Sequence, residues 1–166
     1  MSKRSVVTVR EQPVADVTSQ SGAVKLHSEM FTVETAQRME LVDLTEQAMA
    51  LVHRLDVQEG IVHLFSMHTT CTVFINESQT ALRADILKFL ERVVPQDGTY
   101  LHNDPVHSDC DRQNADSHLR AMFLGHGLSL QISGGELVLG QWQRVLAAEL
   151  DGPRIRSVRV HVQGVA

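Results

Sequence analysis

Aromatic side chains are scarce in this chain, with one Trp, one Tyr and five Phe in 166 residues. A core sufficient for one domain must therefore be made of Leu, Val, Ile and Met. Cysteine is equally sparse. Cys71 and Cys110 are too few for a disulfide framework and form no C-x-x-C pair, so free thiols and a cytoplasmic location are expected. No apolar run approaches the roughly 20 residues of a membrane-spanning helix. Basic residues do not exceed acidic ones. The net charge of −5 argues against a surface for nucleic acid or an anionic membrane, and it leaves room for a small anionic ligand held by one or two arginines. The start, MSKRSVVTVREQP, precedes no long apolar core and no small-residue cleavage site, and reads as neither a signal nor a transit peptide.

Histidine is abundant, nine in all, and His102, His107, His118 and His126 lie close together in the chain. Residues 1–22 are mixed and polar and read as an N-terminal extension, and residues 23–166 read as a single domain. A strand starts at Val24. Leu41, Leu44, Thr45, Ala48, Leu51, Val52 and Leu55 then recur at the helical period. After Gly60 come the strand Ile61–Met67, the turn His68-Thr69-Thr70 and the β-branched strand Cys71–Asn76. Ser78 or Thr80 is placed to cap a helix whose apolar stripe is Ala81, Leu82, Ile86, Phe89, Leu90 and Val93, ending at Pro95. A long loop over 95–113 follows, and loops of that length in small domains are often functional. Asn114 is placed to cap a helix over Ala115–Leu124. The remainder alternates as strands, with Gly134-Gly135 as a hairpin turn. This order predicts an α+β fold: one compact domain, a mainly antiparallel sheet and two to three helices.

Polar groups on apolar faces mark the candidates for chemistry. Asp85 shares the stripe of Ala81 and Phe89, and His118 shares that of Ala115 and Met122. A buried carboxylate or imidazole needs a partner, although Asp85 at a stripe edge or His118 bonded to a carbonyl would satisfy the same pattern. His68 and Glu77 stand at strand ends, where site residues gather. Glu77 also suits the positive end of the following helix. His102 lies in loop chemistry. His68, His102 and His118 have no local metal spacing and could meet only through the fold, where three imidazoles would suit a divalent ion. Arg154, in the turn Asp151-Gly152-Pro153-Arg154, is either a solvated turn residue or an anion clamp. Gln143 is the odd polar residue on a strand face with Val145 and Ala147.

Taken in order, these pieces form a pattern. His68-Thr69-Thr70 is followed by Ile75-Asn76-Glu77, then by a helix bearing Asp85 and ending at Val94-Pro95. After these come YLHND (Tyr100–Asp104), NADSHL (Asn114–Leu119), LGQWQ (Leu139–Gln143) and ELDGPR (Glu149–Arg154). From about residue 24 to 163 the chain resembles the YjbQ family, also called the secondary thiamine-phosphate synthase family. The resemblance implies a homotrimer with a histidine-linked divalent ion, zinc or magnesium, near a subunit boundary. It also implies a small phosphorylated metabolite as ligand, and the charge balance leaves neither nucleic acid nor membrane as an expected partner. The implied reaction joins hydroxymethylpyrimidine pyrophosphate to thiazole phosphate and releases pyrophosphate. Carried over residue by residue, His68, His102 and His118 are the metal candidates, and Asn76, Glu77, Asp85, Gln143 and Arg154 the catalytic ones. The alternatives are a metal-dependent hydrolase of a small phosphorylated or acyl substrate, with Glu77 as general base, and a non-enzymatic trimeric module that binds a metal or metabolite. The chain departs from the family pattern in its longer N-terminus, in Gln141, and in the loop DPVHSDCDRQ, which adds His107 and Cys110.

Overall fold

The computed structural model describes residues 19–166, so most of the extension expected over 1–22 lies outside the described residues. Among the described residues, eight strands and three α-helices follow in the order β1 (Val24–Glu34), β2 (Glu40–Asp43), α1 (Thr45–Leu55), β3 (Glu59–Ser66), β4 (Cys71–Asn76), α2 (Thr80–Val93), a 3-10 turn (Leu101–Asn103), α3 (Ala115–Leu124), β5 (Gly127–Ser133), β6 (Glu136–Leu137), β7 (Arg144–Glu149) and β8 (Ile155–Val165). The strands form a five-stranded sheet, β1-β8-β3-β5-β6, and a three-stranded sheet, β2-β7-β4. Each pairing between them is antiparallel. The expected α+β architecture is present.

Two cores hold the layers. The larger lies between the two sheets and α1, where Val62, Leu64, Val158, Val160 and Val162 meet Leu44, Ala48, Val52, Val73 and Val145. The smaller packs α2 and α3 on the other side of the three-stranded sheet, through Leu90, Ala121, Leu41, Ala148 and Leu150. Strand β7 is thus enclosed on both faces, which is why its sequence runs apolar without alternation. Where β3 crosses β8, Gly60 faces Gly164. A Cβ on Gly60 would fall 2.2 Å from the Gln163 carbonyl oxygen, so the two backbones meet only because both positions are glycine.

Three local expectations are corrected. The helical run does not begin at Leu41, which belongs to β2. Asp43 Oδ1 accepts from the Thr45 N–H and Thr45 Oγ1 accepts from the Val145 N–H, so the chain turns there and α1 starts at Thr45. The α2 cap is neither Ser78 nor Thr80 but Gln79, whose Oε1 accepts from the Leu82 N–H at 2.8 Å. The α2 stripe is also rotated from expectation. Ile86, Leu87 and Leu90 face the smaller core, while Ala81, Asp85 and Phe89 are exposed.

Candidate functional site

His68, His102 and His118, far apart in sequence, line one cleft of about 400 Å³ together with Thr70, Cys110, Arg112, Asn114, Asp151 and Arg156. Each arrives by a different local route. His68 follows the end of β3, where the strand leaves the sheet, and its Nε2 accepts from the Ser157 N–H at 2.9 Å. His102 sits on the 3-10 turn, which is tied down because Asn103 Oδ1 accepts from the Ala115 N–H at the start of α3. His118 lies one turn into α3 and meets His102 edge to face, with ring centroids 5.2 Å apart.

The α3 helix buries Ala115 of the stripe expected from its sequence but not the rest of it. Asp116, Ser117, Arg120 and Ala121 face inward, while Met122 is 72% exposed. Arg120 makes this possible. Its guanidinium donates to Asp116 Oδ2 at 2.7 Å and twice to the Val94 carbonyl, so the buried charges satisfy one another. His118 is left at the edge of that face, half-buried and open to the cleft. Asn114 makes no side-chain cap. Its Nδ2–H donates instead to Asp151 Oδ2 at 2.8 Å.

Beneath the cleft lies a second enclosed pair. Arg156 donates through Nε and NH2 to both oxygens of Glu149, and NH2 also reaches Thr70 Oγ1 at 3.0 Å. Asp151 gathers Arg154 NH2 at 2.9 Å, Arg38 at 3.7 Å and Arg112 at 3.9 Å. Burial pushes the His68 imidazole below its ordinary pKa, with the positive field of Arg156 adding to it. Burial also lowers His118, and His102 adds to that. Both rings favour the neutral form. For Arg156, burial works against the charge, but the hydrogen bonds and field of Glu149 outweigh it and raise its pKa.

The other candidates are not brought here. Strand β4 pairs with β7 from Cys71 opposite Glu149 to Asn76 opposite Arg144. Asn76, Glu77 and Gln143 therefore stand at the far end of this ladder, about 17 Å from the cleft at ~3.3 Å per residue. Asn76 Oδ1 accepts from the Glu77 N–H, and Gln143 Oε1 accepts from the Gly140 N–H, so each side chain shapes its own turn. Asp85 is exposed on α2. Arg154 lies close by but is spent on Asp151, bonding both its carbonyl and its carboxylate. Neither Arg154 nor any of these others lines the cleft.

The profile of the family described as "UPF0047 protein YjbQ-like" matches residues 29–165. The chain belongs to this family. Among YjbQ-like relatives, a UPF0047 protein of Methanothermobacter thermautotrophicus is 38% identical over 141 residues, covering 85% of this chain and 94% of its own. A second, from Archaeoglobus fulgidus, is 42% identical over 130 residues, covering 78% and 96%. A crystal structure of a YbjQ-like protein of unknown function from Sulfolobus solfataricus superposes with a TM-score of 0.79 at 34% identity, covering 86% of this chain and 99% of that one. A YjbQ/UPF0047 protein from Clostridium acetobutylicum gives 0.73 at 30% identity, covering 81% and 98%.

The YjbQ-like resemblance implies a divalent ion on His68, His102 and His118, and the donor geometry tests that set. Among the described residues, no group of three or more His, Cys, Asp or Glu side chains converges as metal ligands would. His68 has Nε2 committed to Ser157. As arranged, the three imidazoles share a cleft but do not form a metal centre.

What sequence reasoning missed are two buried charged pairs, Glu149 with Arg156 beneath the cleft and Asp116 with Arg120 on the inner face of α3. Both pairs left a trace. Arg156 falls in step with Val158, Val160 and Val162 on the buried face of β8, and Asp116 and Arg120 are four apart on one helix face.

Proposed function

We propose that the cleft binds a phosphorylated small molecule and serves a secondary thiamine-phosphate synthase reaction. The observation that carries this reading is a shared wall. His102 and His118 line the polar cleft on one side and, on the other, an apolar cleft of about 480 Å³ lined also by Thr99, Tyr100, Leu101, Ala115 and Leu119. A polar compartment with arginines beside an apolar one suits a ring joined to a phosphate. In the reaction, the bond between the pyrimidine methylene carbon and the pyrophosphate oxygen breaks, and its electron pair leaves with pyrophosphate. The thiazole nitrogen lone pair forms the new carbon–nitrogen bond.

Such a step needs charge stabilisation and positioning more than proton transfer. Arg112, 59% exposed at the mouth, supplies positive charge where the leaving phosphates gather, and Arg156 on the floor neutralises Glu149 so that no free carboxylate there opposes them. His102 and His118 hold the ring-bearing end against the apolar wall. The divalent ion implied by the family resemblance enters no step here. The hydrolase alternative draws less support, because Glu77, its general base, stands at the other end of β4. A homotrimer in the cytoplasm goes with the same reading, and light scattering of the purified protein would return three chains per particle.

Purified protein given both substrates should form thiamine phosphate and pyrophosphate. Arg112→Ala and His118→Ala should each lower kcat/KM by about tenfold or more, the loss expected for a charged hydrogen bond or an orienting wall. Absence of product from the wild-type protein, or product formation untouched by both substitutions, would rule the reaction out. Rescue of a thiamine auxotroph at native expression would establish the physiological role.

A further inference from the structure

The geometry points to His68 as a neutral N–H donor to an anion in the cleft rather than as a metal ligand. A backbone N–H can only donate, and that of Ser157 lies 2.9 Å from His68 Nε2. Nε2 must therefore offer its lone pair, and the ring proton of the neutral imidazole must sit on Nδ1. The sheet builds this arrangement. The Met67 N–H donates to the Ser157 carbonyl at 3.0 Å, the last backbone bond between the end of β3 and β8. One residue later the chain leaves the sheet, and the ring of His68 takes the place of the carbonyl that β3 no longer supplies. A Ser157 N–H without an acceptor would be costly in this half-buried position.

Metal ligation conflicts with that bond. An ion on Nε2 would displace the Ser157 N–H, and an ion on Nδ1 would have to displace the ring proton. What the ring can offer the cleft is Nδ1–H, for which no protein partner is present among the described residues. The charged surroundings fit a donor to an anion. Arg156 and Arg154 set their positive fields on the ring, and Glu149 is the carboxylate whose field reaches it. That carboxylate is already claimed by Arg156. A phosphate oxygen is the acceptor such a donor would take. The tautomer follows from the backbone bond alone, whereas the donor role rests on the reading of the cleft as an anion site.

Three measurements on the full-length protein separate these parts. Long-range proton–nitrogen NMR correlations of the His68 ring, assigned by difference with His68→Gln, should show Nδ1 protonated and Nε2 bare. Glutamine keeps an acceptor for the Ser157 N–H, so this variant should melt close to wild type. Zinc titration should give the same stoichiometry and affinity for His68→Gln as for wild type, whatever that stoichiometry is. Titration with inorganic pyrophosphate should give a dissociation constant about tenfold weaker for the variant. An Nε2-protonated ring, or zinc binding lost on His68→Gln, would overturn the assignment. Equal pyrophosphate affinity in the two proteins would overturn the donor role. If wild type binds no pyrophosphate, the anion reading itself falls, while the tautomer result still decides the backbone bond.

Discussion

A buried imidazole resists protonation because the charge would lose its hydration. His68 and His118 both sit below their ordinary pKa of 6.5 for that reason first, with Arg156 and His102 respectively adding to it. The sign of the linkage is then fixed. Between the lowered folded-state pKa and 6.5 the unfolded chain binds more protons, so stability rises with pH across that window. The contribution is complete above 6.5 and is lost as pH falls through the folded-state pKa. The melting temperature should fall between pH 7.5 and pH 5, and His68→Gln should fall less. An equal drop in both proteins would mean that His68 titrates alike folded and unfolded. At this scale the sequence was informative where chemistry is rare and silent where partners are distant. The histidines stood out by residue type. Asp151 does not stand out in the sequence, because Arg38, Arg112 and Asn114, which surround it, come from elsewhere in the chain.

Helices and strands were legible wherever one face meets a core. The hairpin at Gly134-Gly135 forms as its residues dictate, with φ of 58° and 78° at the two glycines. Helix α2 was less legible, because Ala81, Asp85 and Phe89 repeat at the same spacing as Ile86 and Leu90, and period alone does not choose between two apolar stripes. Its start was misplaced for a related reason. Three polar residues, Ser78, Gln79 and Thr80, stand at the boundary, and only the path of the chain out of β4 decides which one accepts from the helix. Gln79→Ala should therefore destabilise the protein by about 1 kcal/mol, the usual worth of an N-cap. Ser78→Ala should cost only a few tenths of that. Urea unfolding of the two variants checks the difference, and a reversed order would place the cap on Ser78.

For the whole molecule, the length of β4 is what divides the candidates. Histidines at the Cys71 end and polar residues at the Asn76 end belong to the same ordered motifs in sequence, yet one strand holds them apart within a chain. No local pattern could have revealed this, because the separation is set by the β4–β7 register. The division also makes the central claim open to test, since two ends of one sheet compete to be the site. Pyrophosphate titrated into nitrogen-15-labelled protein, followed by amide chemical shifts, distinguishes them. The account predicts that Thr70, His102, Arg112, His118 and Asp151 move together and saturate at one concentration. Shifts confined to Asn76, Glu77 and Gln143, or no saturating shift anywhere, would contradict it.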